Sequence, residues 1–200
     1  LGAVRRFDLR QGVVLEWPLS SDYLFRKDLA GGGVLMDFGS HLLDLVLWWF
    51  GDPATIAYYD DAQGGTESDC RLELSFSSGL EGRVEISRIR DLPNTCRIEG
   101  ERGTLEVGIW DPDPPVTLSL NGSDVELKGG AVAPGENGGG GFREAFRRQI
   151  DDFAQAVREG GTPRVSGAEA RRSLQLIETC YATRGDLEFP WMSWLPSEAP

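Results

Sequence analysis

The sequence predicts an α+β domain, an open, mainly antiparallel but mixed β-sheet with helices packed on one face. Two observations predict it. The elements run strand, helix, many strands, then two helices. The apolar period also switches, from helical spacing before Gly51 to a period of two across 54–107, then back to helical spacing after 142.

Val4 to Leu9 reads as a strand, with a turn at Gln11-Gly12 and a second extended piece from Val13 to Trp17. Pro18 to Ala30 is polar and aromatic and reads as a loop with one helical turn, and Gly31-Gly32-Gly33 then breaks the chain. Val34 to Phe50 reads as a helix stopped by Gly51 and Pro53. Ala57-Tyr58-Tyr59, Cys70 to Phe76 and Leu80 to Ser87 alternate apolar with polar residues, the pattern of half-buried antiparallel strands. Ser77-Ser78-Gly79 supplies a hairpin turn between two of them. Cys96 to Glu99, Thr104 to Val107, Val116 to Leu120 and Val125 to Leu127 continue the meander, with turns at 100–103 and 121–124. Gly129 to Gly141 is rich in Gly and Pro and reads as a mobile loop. Phe142, Phe146, Ile150, Phe153 and Val157 recur at helical spacing along Phe142 to Glu159. A second helix spans Ser166 to Thr183, with Ser166 as N-cap and Glu169 as its capping-box partner. Phe189 to Pro200 is an aromatic, proline-rich tail whose Trp191 and Trp194 would pack on a partner subunit or on the core.

The 200 residues are read as one domain, 1–200, with 40% hydrophobic and 26% charged residues, enough apolar matter for a core. Lys and Arg number 20 against 32 Asp and Glu, a net charge of −12, which repels phosphate backbones and speaks against a nucleic-acid partner. The longest apolar run, Leu42 to Phe50, is interrupted by Asp44 and falls short of the roughly 18 residues that span a bilayer. No signal peptide is visible. Cys70, Cys96 and Cys180 are odd in number and widely spaced, which argues against a disulfide framework or a zinc motif and for a reducing cytoplasm. The chain opens at Leu1 on residues that already read as a strand, as expected of a fragment, a domain or a processed product.

The chemistry concentrates between Gly31 and Leu45. On a regular helix Asp37, His41 and Asp44 fall at roughly 0°, 40° and −20°, on one stripe that Trp48 continues. The rest of that helix is apolar, so it is expected to be buried, with the stripe meeting a wet cleft, another polar group, a metal or a substrate. His41 is the single histidine and suits proton exchange with a hydroxyl or carbonyl, while Asp37 could orient it or contact a substrate hydroxyl. A lone histidine can equally be a satisfied core residue, and the stripe alone leaves the two readings even. Asp44, deeper along the helix, reads as structural. A metal centre of Asp37, His41 and Asp44, as in a metal-dependent hydrolase, matches no strong motif. Arg26 and Lys27 would bind an anionic group on a substrate or lie on a solvated loop. Neither glycine run, Gly31–Gly33 or Gly138–Gly141, fits the Gly-x-Gly-x-x-Gly dinucleotide fingerprint.

The run Gly31-Gly32-Gly33, then Asp37-x-Gly39-x-His41-x-x-Asp44, then an apolar stretch ending Gly51-Asp52-Pro53, resembles the signature of the Gfo/Idh/MocA oxidoreductases, the glucose–fructose oxidoreductase and inositol dehydrogenase family. Ile98-Glu99-Gly100-Glu101-Arg102-Gly103-Thr104 and the segments 142–160 and 162–174 resemble that family's later strand pair and closing helices. The resemblance implies the C-terminal, substrate-binding and oligomerisation domain of an NAD(P)-dependent enzyme acting on a sugar, polyol or related hydroxy compound. It implies His41 as proton donor or acceptor and Asp37, with Arg26 and Lys27, at the substrate. It places the family's Glu-Lys-Pro lysine and dinucleotide fingerprint in an N-terminal Rossmann domain that this sequence lacks. NAD or NADP is then the cofactor of the full-length parent and is not expected to bind tightly to this domain, which would be inactive alone; residues near Gly31 to Asp37 are where the nicotinamide end would be met. A homo-oligomer through the open sheet is implied as well. The alternative is a non-catalytic sugar-binding or dimerisation module of the same fold.

Overall fold

The computed structural model describes residues 1–16, 18, 20–109, 116–120, 122–127 and 141–188. Among them nine strands form one sheet in the order β8-β7-β6-β5-β1-β4-β3-β2-β9. These are β1 (Val4–Gly12), β2 (Thr55–Asp60), β3 (Asp69–Ser75), β4 (Glu81–Ser87), β5 (Thr95–Gly100), β6 (Gly103–Gly108), β7 (Val116–Leu120), β8 (Ser123–Leu127) and β9 (Arg184–Asp186). Two pairings are parallel, β1 with β4 and β2 with β9, and the other six are antiparallel. The fold is therefore the open, mixed, mostly antiparallel sheet that the period-two segments predict.

Alternation sorts the strands into two unlike faces. Leu9, Val84, Leu72 and Tyr58 lie side by side across β1, β4, β3 and β2, and all four are buried. Helices α2 (Ser40–Phe50) and α4 (Gly167–Ala182) pack on each other over this inner face. The stacked Phe7 and Phe50 rings, 4.3 Å apart, join sheet to helix. The outer face carries rows of alternating charge. Glu106, Arg97, Asp8, Arg83 and Glu73 stand opposite one another in one row, and Arg10, Glu85 and Arg71 in the next. Opposite charges in cross-strand positions stabilise a sheet.

The capping box at Ser166 forms as read, with the Glu169 amide donating to Ser166 Oγ and the Ser166 amide to Glu169 Oε2. The three cysteines are free and buried. Burial pushes the thiols of Cys96 and Cys180 up to about 12, so they stay protonated.

Three expectations are corrected. No turn occurs at Gln11-Gly12: β1 runs through Gly12, paired to Ser87, and the amides of Val13 and Leu15 continue along the end of β4 by donating to the carbonyls of Ser87 and Arg88. A Cβ on Gly12 would sit 2.4 Å from the Arg90 carbonyl, so this glycine serves close packing. The helix through Val34 to Phe50 is not regular either. Leu35–Gly39 is a π turn that passes into α2 at Ser40. A π turn holds more residues than an α turn, so the wheel angles drawn for Asp37 shift. Finally, the helix is not buried all round: Asp37, His41, Asp44 and Trp48 line its open side, and Trp48 is 78% exposed. Asp44 reaches no hydrogen-bond or ion-pair partner among the described residues, so the structural role read for it is not seen.

Helix α3 (Gly141–Glu159) forms over the expected span but stands apart, with no packing partner among the described elements comparable to that of α2 with α4. The expectations for the Gly129–Gly140 loop, the Phe189–Pro200 tail and the second glycine run before Gly141 lie outside the described residues. No helix among the described residues is long and apolar enough to cross a membrane.

Candidate active site

The site grows from the glycine run. Gly31 takes the left-handed conformation, φ +78°, and closes the short helix α1 (Lys27–Ala30) with its amide on the Lys27 carbonyl. Gly32 and Gly33 lie against neighbours that leave no room for a side chain. A Cβ on Gly32 would meet the Tyr181 hydroxyl at 2.0 Å, and one on Gly33 the Glu67 carbonyl at 1.9 Å. Glu67, buried just before β3, gathers this corner. Its carbonyl accepts from the Val34 amide at 2.9 Å, and its Oε1 accepts from the Leu35 amide at 3.0 Å and the Tyr181 hydroxyl at 2.8 Å. Burial, reinforced by the Glu67 charge, raises the Tyr181 phenol above its usual range, so it remains a donor.

This packing answers whether the run could cradle a dinucleotide. The space that a pyrophosphate would need beside Gly32 and Gly33 is filled by Tyr181 and Glu67. The glycine run itself therefore offers no cradle for a pyrophosphate.

Past the glycines the π turn presents Asp37. Its Oδ2 accepts from Arg88 Nη2, which reaches across from the end of β4. The Arg88 side chain is 9% exposed and Asp37 54%, so a nearly buried guanidinium meets a carboxylate open to solvent. Arg88 also lies over the Phe38 ring, 5.5 Å from its centre. Behind it a cavity of about 250 Å³ opens among Leu15, Leu24, Phe25, Thr66, Arg88 and Ile89. One turn beyond Asp37, His41 projects into the open, with no hydrogen-bond or ion-pair partner among the described residues. Lys27 is held near the same corner by its ammonium group, 5.5 Å from the Tyr181 ring centre. Arg26, at the N-cap position of α1, pairs with Asp28 in that helix's first turn at 2.9 Å. Among the described residues no three His, Cys, Asp or Glu side chains converge as metal ligands, and Asp37, His41 and Asp44 form no such cluster.

Arg88, Glu67 and Tyr181 escaped the sequence reading. Arg88 follows a strand in which charged residues alternate outward, and nothing in the period marks it as turning inward. Glu67 sits in a polar run, Thr66-Glu67-Ser68-Asp69, that looks like surface. Glu67 allows a direct test. Glu67→Ala would leave the Leu35 amide and the Tyr181 hydroxyl unpaired in the interior, at about 1–3 kcal/mol each. The expected loss of about 2–6 kcal/mol is readable as a lower urea midpoint, with Glu67→Gln retaining most of the stability because the amide keeps an acceptor oxygen.

Comparison with known proteins shows the family and the fold. A family model described as "Oxidoreductase family, C-terminal alpha/beta domain", that of the Gfo/Idh/MocA proteins, matches residues 23–185. The D-xylose 1-dehydrogenase (NADP(+)) 2 of Haloferax volcanii is 28% identical over 168 residues, 81% of this chain and 48% of that protein. The scyllo-inositol 2-dehydrogenase (NAD(+)) of Bacillus subtilis is 25% identical over 155 residues, 72% of this chain and 43% of that protein. Among solved structures, the aldose–aldose oxidoreductase of Caulobacter crescentus complexed with glycerol superposes with a TM-score of 0.75 at 23% identity, over 92% of this chain and 54% of that one. Levoglucosan dehydrogenase in complex with NADH and levoglucosan gives 0.76 at 19% identity, over 91% and 56%. At those identities the structures show the shared fold. The chain spans about half the length of the curated relatives it matches. On the family model and the fold together, this chain belongs to the Gfo/Idh/MocA oxidoreductase family, as its C-terminal α/β domain.

Proposed function

We propose that this chain is the substrate-binding part of an NAD(P)-dependent oxidoreductase that acts on a CH–OH group of a sugar, polyol or related hydroxy compound. One observation carries the reading. Asp37 and His41 stand one turn apart on the open side of a helix whose other sides are packed, and Asp37 is held by Arg88, a nearly buried arginine that also lines a cavity of about 250 Å³. That arrangement suits an alcohol. A ring nitrogen of His41 takes the hydroxyl proton as the carbon is oxidised, which avoids an alkoxide, and returns it in the reverse direction. Asp37, fixed by Arg88, accepts a hydrogen bond from a substrate hydroxyl. Lys27 and Arg26 add positive charge at the rim for an acidic or phosphorylated substituent. When bound by the remainder of the protein, the nicotinamide supplies the hydride acceptor.

The same reading makes the working enzyme a homo-oligomer. The outer sheet face, with its rows of alternating charge, is complementary to a second copy of itself under a two-fold axis. Free buried thiols and the acidic surface fit a cytoplasmic enzyme with neither nucleic acid nor membrane as partner.

The test is made on the full-length protein. Mixed with NAD⁺ or NADP⁺ and a panel of aldoses, inositols, uronates and nucleotide sugars, it is expected to reduce one dinucleotide, seen as the growth of nicotinamide absorbance. No reduction with any member, together with no oxidation of NADH or NADPH by the matching ketones, contradicts the proposal.

A further inference from the structure

The Arg88 guanidinium is only partly used. Its side chain is 9% exposed, and among the described residues its one hydrogen bond runs from Nη2 to Asp37. Nε and Nη1 donate to nothing there, yet neither is sealed from accessible space. Arg88 also lines the cavity of about 250 Å³, where Val14, Leu15, Leu24, Phe25 and Ile89 make much of the wall apolar. Thr66 adds an acceptor to that wall. Its hydroxyl spends its proton on the Leu24 carbonyl at 2.8 Å, so toward the cavity the oxygen can only accept.

We infer that this cavity takes an acylamino substituent of the sugar, in the simplest case an acetamido group. The inference rests on the reading above that a sugar or related compound sits against Asp37. Charge speaks against an anion. Asp37 already balances Arg88, and Glu67 stands in the same wall with its carboxylate on the Leu35 amide and the Tyr181 hydroxyl. A carboxylate or phosphate guest would add unbalanced negative charge away from bulk water, at a cost of several kcal/mol. A neutral carbonyl oxygen meets no such penalty and accepts from the unused Arg88 donors. The acyl methyl then lies on the apolar wall, and the N–H donates to the Thr66 oxygen. A plain hydroxyl would leave the apolar wall uncovered, and an ester would bring Thr66 no donor. Size agrees. At a water's ~30 Å³ for each non-hydrogen atom, roughly eight fit, which holds an acetamido group and the carbon bearing it but no second sugar ring. Arg88 joins the cavity to Asp37, so the acylamino group and the hydroxyl on Asp37 belong to one sugar ring. Arg26 and Lys27 do not line the cavity and stay available to a separate anionic substituent.

The experiment uses the full-length protein with N-acetylglucosamine, N-acetylgalactosamine and N-acetylmannosamine, free and UDP-linked, each against its parent hexose and its unacetylated amine. In at least one set the acetamido sugar should exceed both counterparts by ~10²-fold or more in kcat/KM, because the counterparts leave the cavity's polar groups unpaired. Val14→Trp fills the cavity from a wall position that is 41% exposed and takes no part in the chemistry. It should fold normally and cut that preference to below about 10-fold. Ile89→Trp, 50% exposed on the same wall, carries the same expectation. Saturation-transfer NMR with the acetamido sugars reads the site without turnover: the acetyl methyl should receive more saturation than the ring protons and lose that lead in Val14→Trp. Parent hexoses or amines turned over as efficiently as their acetamido partners in every set overturn this inference and leave the catalytic reading standing. So does a preference for glucuronate that Val14→Trp abolishes, which makes the cavity an anion site. If no sugar is turned over, methyl-led transfer sensitive to Val14→Trp upholds this inference while the catalytic reading falls. Transfer led by the ring protons, or unchanged by Val14→Trp, overturns it.

Discussion

A Gly33→Ala chain is expected to lose much of its stability, by about 4 kcal/mol or more. The added methyl would lie 1.9 Å from the Glu67 carbonyl oxygen and 2.6 Å from its amide nitrogen. Both are backbone atoms, so no side chain can rotate away. Relief requires the start of the π turn to part from the approach to β3. That movement breaks the bond from the Val34 amide to Glu67 and draws the Glu67 carboxylate away from Leu35 and Tyr181. For a domain whose whole stability is of the order of 5–15 kcal/mol, the loss is a large fraction. Thermal melting should show a midpoint lower by about 8–16 °C. Gly32→Ala meets the Tyr181 side chain instead, which can swing aside at the cost of one hydrogen bond, so its effect should be smaller. A Gly33→Ala midpoint within about 2 °C of the parent would show that the tight corner is not what shapes the site.

The second large effect is catalytic. In the full-length protein His41→Ala should lower turnover at saturating substrate by about 10²–10⁴-fold, the usual range for removing a general acid or base. On the barrier this is about 2.7–5.5 kcal/mol. Because the imidazole is exposed and holds no partner among the described residues, its removal leaves no cavity, and melting should hardly move. Turnover loss without stability loss separates a proton-transfer role from a packing role. Asp44→Asn supplies the control on the same stripe, since Asp44 is exposed and unpartnered among the described residues; it should change stability by no more than about 0.5 kcal/mol. His41→Ala turnover equal to the parent's would remove His41 from the chemistry.

Much of the fold was legible because the sheet writes itself into the sequence. Where strands keep one face on the core and one in solvent, as in Cys70 to Ser75 and Glu81 to Ser87, period two is clean and the register follows. The capping box at Ser166 was legible because two residue types at one spacing satisfy two amides. The π turn was not, because nothing in Leu35-Met36-Asp37-Phe38-Gly39 distinguishes it from an α turn, and the Glu67 side chain that takes the Leu35 amide lies 32 positions away. The site was half legible for the same reason. Asp37 and His41 share a helix and a spacing, whereas Arg88 meets Asp37 across a sequence separation of 51, and only strand order brings the two together. The exposure of one side of α2 was misjudged because apolar residues in a sequence signal burial without saying what buries them.

The role of the Asp37–His41 stripe is tested most directly by a crystal structure of the full-length protein with its oxidised nicotinamide cofactor and a sugar substrate bound. A ring nitrogen of His41 should lie within about 3.2 Å of one substrate hydroxyl, with Asp37 on a neighbouring hydroxyl and still paired to Arg88. An imidazole covered by apolar side chains, with the sugar bound elsewhere, would contradict the account.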